Sequence, residues 1–172
     1  TRTGAALEWT DPEGRPRMAL LDCTPDLRQQ ALREGFTRCD AILFTHHHVD
    51  HIFGLDEVRR FNAVMRTPID IYAEPHTLGA LRRVYQHIFD KEANTNNSFV
   101  ASLIAHEIAP PPHGLPIDLY GLRFTPIRLL HGRLSIVGFR VEPAPGVRVE
   151  GGGPFPLAYC TDVSRIPPET WR

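Results

Sequence analysis

Thr45-His46-His47-His48-Val49-Asp50-His51 follows the apolar run Ala41-Ile42-Leu43-Phe44 and precedes Ile52-Phe53-Gly54-Leu55. From His46 onward it reads H-x-H-x-D-H, two imidazoles at alternate positions, then a carboxylate and another imidazole. The apolar run has the length of a buried strand, and Leu55, Val58 and Phe61 recur three apart, as one face of a helix requires. The pattern predicts a strand Ala41 to Thr45, a loop carrying the ligands, and a helix to about Asn62. A strand end and a helix start hold side chains rigidly enough to converge within roughly 2.0–2.2 Å of a zinc-type ion. His46 and His48 are expected to share one ion, and Asp50 and His51 to turn towards a second. Two such ions sit about 3.5–4 Å apart and hold a shared hydroxide, because the pKa of the parent water falls from ~15.7 towards ~7. His47 is out of the alternation and is expected to face away, in a packing or hydrogen-bonding role.

Two later stretches repeat the order of strand, then polar group. Leu122 to Leu130 runs straight into His131-Gly132, which makes His131 the expected third imidazole for the ion of His46 and His48. Pro126 within that run predicts an edge or bulged position. Leu157-Ala158-Tyr159-Cys160 ends at Thr161-Asp162, and Asp162 is expected to bridge the two ions with one oxygen on each. Asp22, also at a strand end, has two open readings: a carboxylate that orients a ligating imidazole, or a strand-end hydrogen-bonding residue. The other histidines are read as structural: His76 as a capping or surface residue, His87 without chemistry, His106 half-buried in a strand, and His113 exposed in the stiff Pro110-Pro111-Pro112 loop.

Around these stretches the chain alternates strands and helices. Ala5–Trp9 and Met18–Leu21 flank the turn residues Pro12 and Gly14 and read as a hairpin. Thr24 is the expected N-cap of a helix with Pro25 at its first position and Gly35 at its end. Ile69–Ala73 alternates as a strand does, and Pro75–Phe89 buries Leu78, Leu81, Tyr85 and Ile88 along one helical face. Lys91–Ser98 is a polar loop expected to border the substrate, Phe99–Ile108 one or two strands, and Ser135–Val141 the partner of the strand before His131. The expected fold class is α/β, one domain over 1–172, with its site along one edge of the sheets.

Composition narrows the function classes. The 172 residues are 42% hydrophobic and 23% charged, as in ordinary globular proteins, and no apolar run approaches the ~20 residues of a membrane span. A formal net charge of -1 supplies no general attraction to nucleic acid, so polyanion binding is not favoured. Cys23, Cys39 and Cys160 form no C-x-x-C pair, and an odd, scattered set argues for reduced thiols and a cytoplasmic protein. Cys23 and Cys160 both follow apolar runs, and packing is the role expected of them.

With His46, His48, Asp50, His51, His131 and Asp162 in place, the sequence resembles the metallo-β-lactamase superfamily. The stretches Asp22 to Arg28, Asp50 to Asp56, Leu130 to Leu134 and Tyr159 to Asp162 are similar to its phosphodiesterase branch, which includes phosphoribosyl cyclic phosphate phosphodiesterases and ribonuclease Z-like enzymes. The resemblance implies an αβ/βα sandwich, incomplete in this chain, and a dinuclear site, with zinc as the leading ion and manganese as the alternative. It also implies one more histidine beyond Asp162, and none follows there. With Thr1 as the first residue, this makes the chain an expected piece of a longer protein. The expected activity is hydrolysis of a small, cyclic phosphodiester, with Asp50 as the catalytic residue that steers the water or takes its proton. The competing readings are tRNA 3′-end processing and a metal-binding module without turnover. A homodimer is the assembly held open.

Overall fold

The computed structural model describes residues 4–90, 92–94, 98–109, 114–147 and 155–171. The expectations for His113, for Gly151-Gly152-Gly153 and for part of the Asn-rich loop lie outside the described residues. The chain divides into two compact units, Thr1–Leu7 with Met18–Glu107, and Glu8–Arg17 with Ile108–Arg172. No helix among the described residues is long and apolar enough to cross a membrane.

The first unit is built on parallel strands. A five-stranded sheet has the order β1 (Ala5–Thr10), β2 (Pro16–Leu21), β3 (Ala41–Leu43), β4 (Ile69–Ala73), β5 (Leu103–Glu107). β2 to β5 are parallel neighbours, with Leu21 opposite Leu43 and Leu43 opposite Tyr72, so their carboxyl ends lie level. Parallel neighbours need crossovers, which α1 (Leu27–Glu34), α2 (Val49–Ile52), α3 (Arg59–Met65), α4 (Pro75–Val84) and α5 (Gln86–Phe89) supply. Met18, Leu20, Ile42, Ile69 and Ile71 pack against Leu27, Ile52, Leu55, Val58, Leu78 and Leu81 of the helical segments in one buried cluster. Ala19, Leu21, Ala41 and Leu43, which point to the other face, are buried too. Burial on both faces explains why these strands read as continuous apolar runs rather than alternating ones.

Local differences from the expected elements have physical causes. The first helix starts at Leu27 with Asp26 as N-cap, not at Thr24, whose hydroxyl donates to Gln30 Oε1 at 3.0 Å and whose carbonyl oxygen accepts from Leu27 N–H at 3.0 Å. A Cβ on Gly54 would lie 2.1 Å from that oxygen and 2.9 Å from Leu27 Cβ. Gly35 ends the helix as expected, in the left-handed region at φ 71°. The loop expected to carry the ligands is itself helical from Val49, so Asp50 and His51 sit on α2. The expected helix after it is instead a 3-10 turn, Leu55–Val58, followed by α3. The helix expected over Pro75–Phe89 breaks at Tyr85, whose buried hydroxyl donates to the Ile52 carbonyl at 2.9 Å. Cys39 and Cys23 are buried thiols as packing requires, whereas Cys160, expected to pack, is exposed.

The second unit is antiparallel, in the order β6 (Ile117–Leu119), β7 (Leu122–His131), β8 (Leu134–Pro143), β9 (Leu157–Tyr159). β6 and β7 turn through Tyr120-Gly121, both at positive φ, as a two-residue hairpin loop favours. Pro126 sits past the end of β6, which pairs only with Leu122 to Phe124, so its missing N–H removes no bond on that side. The unit also holds the turn of the first hairpin, organised by Asp11. Its carboxylate accepts from the Glu13 and Arg15 backbone N–H groups at 3.0 and 2.8 Å and from the Arg15 and Arg17 side chains at 2.9 and 2.8 Å. Burial pushes this carboxyl up, but those donors outweigh burial and hold it well below the usual carboxylate range.

Gly54→Ala should cost about 1–3 kcal/mol through overpacking against Thr24 and Leu27, read from the urea midpoint. A depressed carboxyl stabilises the fold above its unfolded pKa, and that contribution is lost as pH falls. The stability gap between the parent and Asp11→Asn should therefore be widest above about pH 4–5 and close on acidification below ~3.9, in urea titrations at stepped pH.

Candidate metal centre

The ligand stretch begins where β3 ends, at the carboxyl edge of the parallel strands, the usual place for ligands in such sheets. His46 and His51 are fully buried, His48 is exposed and Asp50 is partly exposed. The backbone of this stretch is tied to the segment after β2. Asp22 N–H donates to the Leu43 carbonyl at 3.0 Å, Cys23 N–H to His51 at 2.7 Å, and Gly54 N–H to Cys23 at 2.8 Å. Asp22 holds a left-handed φ of 64°, uncommon for a residue with a side chain, and its carboxylate turns back under the histidines.

That carboxylate sets the ring orientation of two imidazoles. Asp22 accepts from Thr45 N–H at 2.8 Å through Oδ1, from the Thr45 hydroxyl at 2.8 Å through Oδ2, and from His51 Nδ1 at 2.8 Å through Oδ2. Thr45 Oγ1 lies 2.9 Å from His46 Nδ1. Its single proton goes to Asp22, so it accepts from His46 Nδ1–H. Both His46 and His51 are thereby protonated on Nδ1 and keep the lone pair on Nε2. Burial pushes the Asp22 carboxyl up, while His51 and Thr45 oppose that shift. Asp22 thus takes the orienting role, one of its two open readings. Thr45, which the sequence reading gave no role, is the link to His46. Its position immediately before the first histidine is the only sequence signal for that role.

The expected ligands fall into three close pairs. His46 Nε2 and His48 Nδ1 lie 3.1 Å apart. His51 Nε2 lies 3.6 Å from Asp50 Oδ2. In the second unit, His131 Nε2 lies 4.0 Å from Asp162 Oδ2. His131 is the last residue of β7, and Asp162 precedes a segment stitched to that strand. Ser164 N–H donates to the Leu130 carbonyl at 2.8 Å, Leu130 N–H to Arg165 at 3.0 Å, and Gly132 N–H to Ser164 Oγ at 2.8 Å. Asp162 itself turns at φ 54°.

The donor set suits a divalent ion. Metal–nitrogen bonds of roughly 2.0–2.1 Å at tetrahedral angles place neighbouring ligand nitrogens about 3.3 Å apart, near the observed His46–His48 separation. Nitrogen and carboxylate oxygen donors fit zinc, manganese and related ions alike. The other histidines among the described residues make local contacts. His47 packs edge-on against His76, with ring centroids 5.6 Å apart, and its Nδ1 is buried without a hydrogen-bond partner, so packing is the role realised. Burial lowers its pKa, and nearby His76, His48 and Arg83 add to that. His76 lies 3.9 Å from the buried Glu74 carboxylate, and half-exposed His87 lies 3.4 Å from Asp56. His106 on β5 stacks on Tyr72 and meets Asp70 at 2.7 Å.

The chain is similar to several known proteins. The chain is 34% identical over 150 residues to an octanoyltransferase of Porphyromonas gingivalis, covering 87% of this chain and 26% of that protein. It is 28% identical over 125 residues to ribonuclease Z of Methanopyrus kandleri, covering 72% of this chain and 39% of that one. Among solved structures, a diphosphatase of the PhnP family matches with 35% identity and a TM-score of 0.60, over 73% of this chain and 45% of that chain. The chain thus spans less than half the length of each of these relatives. A sequence profile for the beta-lactamase superfamily domain matches residues 17–172. The chain belongs to the beta-lactamase superfamily, a family of hydrolases, and carries its α/β fold.

Proposed function

We propose that this domain hydrolyses a phosphodiester with the help of two divalent ions, which His46 with His48 and Asp50 with His51 would hold; His131 and Asp162, read from the sequence as the third imidazole and the shared carboxylate, are the remaining candidate ligands. The observation that carries the reading is the Asp22 network, which leaves Nε2 of both His46 and His51 as unprotonated donors. A buried carboxylate that fixes imidazole tautomers is the usual second layer of a metal site. When bound, divalent ions there supply positive charge for a phosphate oxygen and bring the pKa of water from ~15.7 towards ~7. Asp50, partly exposed beside His51, holds the attacking water in line and takes up its proton. Buried Thr45 and Asp22 keep the rings from rotating, so no reorganisation is needed during turnover.

Similarity to a PhnP-family diphosphatase and to ribonuclease Z supports phosphorus ester chemistry over other hydrolyses. A small, cyclic diester is the favoured substrate because the chain's net charge of -1 gives a polyanion no general attraction. Ribonuclease Z likeness keeps tRNA 3′ processing as the second reading, and salt separates the two. RNA cleavage would lose affinity steeply with ionic strength as each phosphate contact releases counterions, and small-ester cleavage would not.

In the full-length protein, Asp50→Ala should lower kcat on bis(p-nitrophenyl) phosphate by at least about 100-fold with the fold intact. Equal rates in the two proteins would refute the assigned role. Asp22→Ala should weaken zinc or manganese binding about 10–100-fold in calorimetric titrations, because His46 and His51 lose their fixed tautomers.

A further inference from the structure

Helix α2 carries Asp50 and His51, yet it is a single turn, Val49–Ile52. A helix that short is not stable by itself, and its last carbonyls find no partner within it. Two of them are claimed by distant segments. The His51 carbonyl accepts from Cys23 N–H at 2.7 Å, and the Ile52 carbonyl accepts from the Tyr85 hydroxyl at 2.9 Å. His51 has a further restraint, because Asp22 holds its ring at Nδ1. Asp50 differs. Among the described residues no hydrogen bond holds its carboxylate, which is 36% exposed and lies 3.6 Å from His51 Nε2, too far for one. The place of Asp50 is therefore set by the backbone of α2.

We infer that Tyr85 is a positioning residue for Asp50: its hydroxyl holds the carboxyl-terminal end of α2, and with it the point from which the Asp50 carboxylate acts. The inference rests on the hydrolytic role proposed for Asp50 and gives Tyr85 no contact with substrate or metal. Tyr85 is buried and stands between α4 and α5 at φ -112° and ψ 42°, off the helical path. A buried phenol and a buried carbonyl are each costly when unpaired, and here each satisfies the other. Burial, and after it Cys23, push the phenol well above its usual range, which a hydrogen bond from the Leu55 backbone only partly offsets. The hydroxyl thus keeps its proton and stays a donor. Phenylalanine in its place keeps the ring in the buried cluster with Leu78 and Leu81 and removes only the bond. The backbone ties that then remain among the described residues, at His51 and Gly54, both run to Cys23, so α2 can tilt about them and carry Asp50 out of place.

The test compares Tyr85→Phe with the parent in the full-length protein. Asp11→Asn, in the other unit, serves as a destabilised control, and circular dichroism confirms that each variant is folded. With manganese saturating, Tyr85→Phe should lower kcat on bis(p-nitrophenyl) phosphate about 10-fold and leave KM within about twofold, while Asp11→Asn should match the parent in both. In calorimetric zinc titrations, Tyr85→Phe should weaken one of two bound ions about 10-fold and leave the other as in the parent. An unchanged kcat with both ions held as in the parent overturns the inference. Equal weakening of both ions, or a loss that Asp11→Asn reproduces, overturns it too. A parent without turnover overturns the hydrolytic reading instead, and the titration then decides Tyr85: equal zinc affinities in parent and variant overturn the positioning role as well.

Discussion

The Asp22 carboxylate is the constraint on which the first unit's functional edge depends. It is buried, and donors from Thr45 and His51 offset the cost of an interior charge. The same bonds that satisfy it fix two imidazole rings, so the stability of the strand end and the orientation of two candidate ligands have a single cause. The link through Thr45 extends that control to a ring that Asp22 does not itself touch.

Backbone packing holds this network in place. The level carboxyl ends of β2 and β3 bring Asp22 and the histidine stretch side by side, and three backbone hydrogen bonds fasten the segments together. Gly54 allows the chain after the histidine-rich stretch to pass against Thr24, where any side chain would collide. Ring position is therefore set by elements with little freedom to move, which is what a preformed donor set requires. In the second unit the same result comes by another route. There Ser164 and the Leu130–Arg165 bridge tether the turn carrying Asp162 to the strand that ends at His131.

How readily each feature could be read from sequence follows the range of the interaction behind it. β4 was read to its boundaries because alternation and β-branching are local, and Gly35 was read because a left-handed helix end favours glycine. Pro126 announced a place without a neighbour on one side, and β6 does stop short of it. The errors fall where a distant residue intervenes. Thr24 looked like an N-cap, but its carbonyl lies against Gly54 and its hydroxyl donates to Gln30, and the helix through Tyr85 looked continuous, yet it breaks at this residue, whose hydroxyl donates to Ile52. Cys160 looked like a packing residue because its apolar neighbours gave no sign of which face would be exposed.

Sequence alone determined the family, the α/β alternation and the identity of the candidate ligands, because donor type and spacing within a few residues are properties of the chain itself. Tertiary structure alone decided that Asp22 holds the His51 ring rather than serving only as a strand-end hydrogen-bonding residue, that Thr45 relays to His46, and that Tyr85 reaches Ile52 where the helix breaks. Each of those depends on groups brought together across a sheet or between helices, and spacing along the chain carries no information about such distances.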